Sequence, residues 1–321
     1  MQRLLPLLFF LLISLTATAG KAPKSGMSIF ERWDSDQLTN VELHLDFAAL
    51  EANRTSEDFL PARVYGRGQV LDAEVAVRGR FRRRTCTMPP LKLKFSKDDL
   101  RAAGLNTHND FKLVTHCTDD AAGQEWLLRE QLAYELYCTV NPKASFRTQL
   151  LTVTYVNTAD GSTTTSYAIL IEDTDELRGR LEAKNCKDCY NQPAGRFTNA
   201  EELVLFQYMI GNNDYSTKML RNCKTMVGTD GRITAVPYDF DFSNLVDTDY
   251  ANRAGHAGRS LRWEFTDAPD YAAAAARFLA LEDRLLAQVD AFDELSDRSQ
   301  REIGKYLGEF FRELRRGPVG S

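Results

Sequence analysis

Asp214, Asn222 and Asp239 are the residues whose types and order point most directly to chemistry. Asp214 closes the run Gly211-Asn212-Asn213-Asp214, Asn222 follows on the next extended stretch, and Asp239 comes after Ala235-Val236-Pro237-Tyr238. Phosphoryl transfer needs a carboxylate to orient the attacking hydroxyl, an ion to bridge phosphate oxygens, and cations to take up phosphate charge. A hydroxyl-orienting Asp214 followed by metal-binding Asn222 and Asp239, with Asp241 beside it, supplies the first two in chain order. The bland reading of Asn-Asn-Asp is a turn. Asp239 and Asp241 are harder to dismiss, because they alternate with Tyr238, Phe240 and Phe242, and a carboxylate in apolar surroundings is costly without a cation. A calcium loop starting at Asp239 is excluded, since Leu245 and Tyr250 stand where it needs a carbonyl and a bidentate Glu, with no Gly at its sharp turn.

Cations come from earlier in the chain. Arg78, Arg80, Arg82, Arg83 and Arg84 crowd around Gly79, and guanidinium forks match phosphate oxygens. Lys92 and Lys94 share one face of an alternating strand. One of them would reach a phosphate with Glu130, or failing that Glu125, as its partner on the following helix. The chain holds no GxSxG, HExxH or P-loop, and its four histidines show no metal-pair spacing, so serine- and zinc-hydrolase chemistry has no support. A net charge of −5 disfavours nucleic acid as a partner.

The elements that must position these residues can be read from periodicity. Alternation predicts strands at 41–45, 73–78, 91–95 and 111–114, and then at 149–156 and 166–172 around the Ala159-Asp160-Gly161 turn. A helix is predicted over 124–140, stopped by Asn141-Pro142. After Asp173 come a helix near 200–211, short strands at 222–227 and 233–237, and a helical remainder. Arg3, the apolar run Leu4 to Leu15 and Ala17-Thr18-Ala19 form the pattern of a cleavable signal peptide over 1–19. A linker over 20–35 follows, then a β-rich lobe over 36–172 with one long helix, then a mainly helical lobe over 173–321. The expectation is an exported α+β chain without a transmembrane helix once the signal is removed. Six cysteines in such a chain point to disulfides, and Cys186-Lys187-Asp188-Cys189 reads as structural, because no second CxxC completes a zinc site.

The motifs in order resemble the CotH-type (spore coat protein H-like) kinases, diverged members of the protein-kinase-like fold. The resemblance runs through Val77-Arg78-Gly79, Pro90 to Phe95, Leu127-Leu128-Arg129, Tyr167 to Glu172, Gly211 to Asp214, Asn222 and Pro237 to Asp241, spanning roughly residues 70 to 245. It implies a bilobal protein-kinase-like fold, ATP with Mg²⁺ or Mn²⁺, Asp214 as the catalytic carboxylate, Asn222 and Asp239 as metal ligands, and Glu172 near the hinge that meets adenine. The function expected is phosphoryl transfer to a protein or another hydroxyl-bearing substrate. The alternatives are a catalytically silent module that binds an anionic partner, and a metal-dependent phosphoester hydrolase using Asp239 and Asp241.

Overall fold

The computed structural model describes residues 26–34, 38–256 and 258–317. The segment read as a signal peptide lies outside them. Within the stretch read as a linker, Ser28 caps a short helix, α1 (Ile29–Trp33), in a reciprocal capping box with Glu31, and Ile29, Phe30 and Trp33 are buried.

Period-two alternation builds the first half of the molecule. β1 (Thr39–Leu45), β2 (Leu60–Gly66), β3 (Gln69–Val77), β4 (Leu91–Phe95), β5 (Asp110–Thr115), β6 (Thr148–Asn157) and β7 (Thr163–Ile171) form a closed barrel in the order β1-β2-β3-β4-β5-β7-β6. All neighbours pair antiparallel except β1 and β6, which run parallel from Thr39↔Leu151 to Leu45↔Asn157 and close the barrel. Leu43, Val75, Leu91, Leu93, Phe111, Val153 and Leu170 fill its interior. Closure removes the unpaired edges that an open sheet must protect.

This overturns the bilobal protein-kinase-like fold expected from the sequence. The strands assigned to a β-rich lobe close on themselves, and the described residues add a second small sheet and ten helices, a mixed α+β architecture of a different kind. Alternation gives a strand's two faces but not its two neighbours, so the β1–β6 pairing, which joins distant segments, left no local signal. β2 was also missed, because Pro61 and Ala62 dilute its pattern.

Along β7, Ala168 and Leu170 point into the barrel while Ile169 and Ile171 point outward into a second core. That core is organised by α5 (Ala121–Val140), capped by Asp120, whose carboxylate accepts the Gly123 N–H. Leu128, Leu132, Leu136 and Tyr137 of α5 are buried, and α5 packs on the barrel wall at β6 and β7 and on α7 (Ala200–Ile210) and α9 (Ala272–Asp290). The final helix, α10 (Asp297–Arg316), buries Ile303, Leu307, Phe310 and Phe311 into the same core. β8 (Ala183–Asn185), β9 (Cys223–Gly228) and β10 (Ile233–Pro237) form the small antiparallel sheet.

Cys86–Cys117 ties a one-turn helix, α3 (Arg82–Thr85), to the end of β5, and Cys186–Cys189 closes the CxxC loop. Cys138 and Cys223 are free thiols. Among the described residues no helix is long and apolar enough to cross a membrane.

Candidate functional site

Helix α7 ends at Gly211, in the left-handed conformation at φ 65°, and delivers the chain into the Asn212–Asp214 loop. Asn212 Oδ1 accepts the Asp214 N–H at 2.9 Å. The Asn222 amide donates to the Asp214 carbonyl at 2.8 Å and to Asp214 Oδ2 at 3.0 Å. Arg221 stands 3.4 Å from Asp214 Oδ1. Asn222 and Asp239 both adopt positive φ, 49° and 66°, a region that Asn and Asp tolerate better than other side chains but still at a cost. The Asp239 N–H donates to Tyr134 Oη at 2.8 Å, which fixes that backbone against α5.

Asp214, Asn222, Asp239 and Asp241 line one cavity of about 490 Å³ together with Arg78, Arg80 and Arg82. Behind its wall Arg82 binds a cluster of carboxylates. Its Nε is 2.7 Å from Asp241 Oδ2, and its Nη2 is 2.6 Å from Glu130 Oε2 and 3.3 Å from Asp239 Oδ1. Tyr250 donates to Asp241 Oδ2 at 2.8 Å. Burial alone would favour losing the Arg82 proton, but Asp241, Glu130, Tyr250 and Asp239 hold it firmly cationic. Burial pushes the Glu130 carboxyl upward against the opposing pull of Arg82, and Glu130 Oε1 has no hydrogen-bond partner. Asp239 keeps a 38% exposed side chain. Its crowded position and the Asp241 charge push it up to about 6, against Arg82 and Arg78. Asp214 is raised too, first by desolvation and then, among the charges around it, by Asp241.

A second cavity, of about 530 Å³, is lined by Arg78, Lys92, Lys94, Lys97, Lys112 and Asp173 among others. Arg78 lines both cavities. Lys112 Nζ lies over the Phe146 ring at 4.9 Å and the Tyr238 ring at 5.9 Å, and Lys224 Nζ lies over Tyr238 at 5.7 Å. Desolvation, helped by Arg78 and Lys224, pushes Lys112 down to about 7. Lys224 is lowered by burial and by Arg78. Three cations therefore crowd one aromatic wall, an arrangement that a bound polyanion would relieve.

The residues singled out from the sequence are thus partly assembled. Asp214, Asn222, Asp239, Asp241, Arg78 and Arg80 share one cavity, and Lys92 and Lys94 stand in its neighbour, paired with Asp110 at 2.8 Å and Glu74 at 3.5 Å. Glu130 pairs with Arg82, not with either lysine, and Glu125 bonds Ser296. Glu172 is fully buried and held by Arg147 and Arg180, and it lines neither cavity. Sequence reasoning missed Lys112, Lys224 and the buried role of Arg82. Lys112 was readable only as a polar position on a strand, and five close arginines look alike until one of them finds carboxylates from two distant segments.

Among the described residues no group of three His, Cys, Asp or Glu side chains is placed to hold a metal ion. Arg82 already fills the position where Glu130, Asp239 and Asp241 converge. Of the carboxylates gathered there, Asp239 is the one whose side chain keeps substantial exposure, and it lines the cavity with Asn222.

No protein-family model matches the chain, and no curated protein matches it. With the barrel in place of two lobes and no family match, the resemblance to the CotH-type kinases is not sustained.

Proposed function

We propose that this protein binds a nucleoside triphosphate across Arg78 and transfers its terminal phosphoryl group to a hydroxyl of a protein or other acceptor. The observation that carries the reading is that one residue, Arg78, lines both the cation-rich cavity and the cavity holding Asp214, Asn222 and Asp239. Phosphates seated against Arg78, Lys112 and Lys224 would end beside a carboxylate that still has room for a partner.

Asp214 takes the proton of the acceptor hydroxyl as the acceptor oxygen bonds to phosphorus and the bond to the leaving diphosphate breaks. The Asn222 amide and Arg221 hold the Asp214 carboxylate in place. Charge spreading over the phosphoryl oxygens is met by Arg78 and Lys112, aimed in advance by the barrel wall. A divalent ion, Mg²⁺ or Mn²⁺, bound at Asp239 and Asn222 would offset charge on the phosphate oxygens. An exported location belongs to the same reading, and it is supported by two disulfides, the usage of an oxidising compartment.

Incubation with ATP labelled in its terminal phosphate, Mg²⁺ or Mn²⁺ and casein as a generic acceptor tests the reading. Wild type transfers label. Asp214→Asn loses at least about a hundredfold in rate and still binds ATP. Equal transfer by both proteins removes Asp214 from the chemistry. ATP binding without transfer by wild type instead supports a silent anion-binding module, a second reading favoured by the Arg82 guanidinium lying where the carboxylates meet.

A further inference from the structure

The Asp214 cavity is lined in part by exposed apolar side chains. Met219 is 71% exposed and Phe81 40% exposed, and both line this cavity. Met219 does not sit on a loose loop. Ser216 and Arg221 exchange two backbone hydrogen bonds of 3.0 Å, and the Met219 N–H donates to Ser216 Oγ at 2.9 Å. Glu264 then accepts from Ser216 Oγ at 2.7 Å and from the Lys218 N–H at 3.1 Å. Leu220, beside Met219, is held in the left-handed region at φ 51°, a strain that the surrounding turn must sustain. Phe81 rests its ring on Phe242 and Tyr250, with centroids 5.3 and 5.2 Å apart, and leaves its outer part to solvent. Rigid, exposed apolar side chains flanking a polar cleft mark a contact surface.

The cavity's carboxylates, Asp214, Asp239 and Asp241, are each paired with an arginine, so the unpaired charge beside Phe81 is cationic. Arg80 and Arg84 are exposed and have no carboxylate partner among the described residues, while Arg82 of the same cluster is consumed internally. Arg80 lines the cavity beside Phe81. The rim therefore complements a negatively charged partner that also offers an apolar side chain.

We propose that the acceptor is an acidic protein segment, with an apolar residue seated between Phe81 and Met219, flanking carboxylates on Arg80 and Arg84, and a hydroxyl residue presented to Asp214. This rests on the phosphoryl-transfer reading for the role of Asp214, but binding of the segment is measurable without any transfer.

The test is fluorescence anisotropy with a labelled peptide of sequence Glu-Glu-Ser-Phe-Glu-Glu, its counterpart with Lys in place of Glu, and labelled oligothymidylate, at one ionic strength. The acidic peptide is expected to bind wild type at least tenfold more tightly than either other probe. Met219→Ala and Arg80→Glu should each weaken it about tenfold, and because both side chains are exposed, both variants should melt as wild type does. Absence of acidic-peptide binding, equal binding of the lysine peptide, tighter binding of the oligonucleotide, or wild-type affinity in both variants would each overturn the proposal. ATP binding measured in parallel reports separately on the phosphoryl-transfer reading, so the two can fail independently.

Discussion

Lys112 shows how one residue's surroundings set the behaviour of the site. An ammonium group pressed against Phe146 and Tyr238, with Arg78 and Lys224 nearby, holds its proton poorly, and its pKa falls to about 7. The sign of the consequence for ligands follows directly. Below about pH 7 Lys112 is cationic and attracts phosphate, and as pH rises through that value the charge and the attraction are lost. Affinity for ATP measured without metal should therefore fall about tenfold between pH 7 and 8.5 through this group. Lys112→Arg, charged throughout that range, should remove the slope, and the titration of ATP itself cancels because it is common to both proteins. Parallel pH profiles for the two proteins would take Lys112 out of the site. The sign for folding differs: the unfolded chain holds this proton up to the ordinary lysine range, so Lys112's contribution to stability rises with pH from about 7 upward.

At the scale of elements, the end of α7 does most to place Asp214. Gly211 adopts φ 65°, and a Cβ built there would lie 2.3 Å from Tyr306 Oη and 2.7 Å from Asn244 Oδ1. Tyr306 can swing, but Asn244 Cβ, at 3.0 Å, is tied to backbone that bonds back to Gly211. Gly211→Ala should destabilise the protein by about 1–2 kcal/mol in denaturant titration and slow phosphoryl transfer by more than that loss explains, because the Asn212–Asp214 loop shifts. A stability change with an unchanged rate would separate the cap from the site. The helix near 200–211 and the short strands at 222–227 and 233–237 were legible from the sequence pattern, whereas the role of Gly211 in ending that helix was not. The α3 helix was not, nor was Arg54, whose guanidinium donates to the Arg83, Cys86 and Thr87 carbonyls and pins that arginine-rich turn. Such contacts join residues that no local pattern links.

For the whole molecule, strand positions were readable because burial alternates, and barrel closure was not, because it depends on β1 meeting β6 in parallel. Asp214 and Asp239 line one cavity, but the fold that brings them to it was not legible. Val114, Ile169 and Ile171 of the barrel wall belong to the same core as Phe206, Phe278 and Phe310 of the helices. With barrel and helices sharing that core, calorimetry should show one unfolding transition with equal calorimetric and van't Hoff enthalpies, whereas two resolved transitions would mean that they unfold separately. On the proposed reading Arg78 joins a cavity that takes phosphate to one that bears carboxylates, and calorimetric titration with ATP and Mg²⁺ tests this most directly. Wild type and the distant control Arg63→Ala should bind ATP at one site with equal affinity, and Arg78→Ala should bind at least about tenfold more weakly, the loss of one charge-assisted contact. No binding by wild type, or an undiminished affinity in Arg78→Ala, would contradict it.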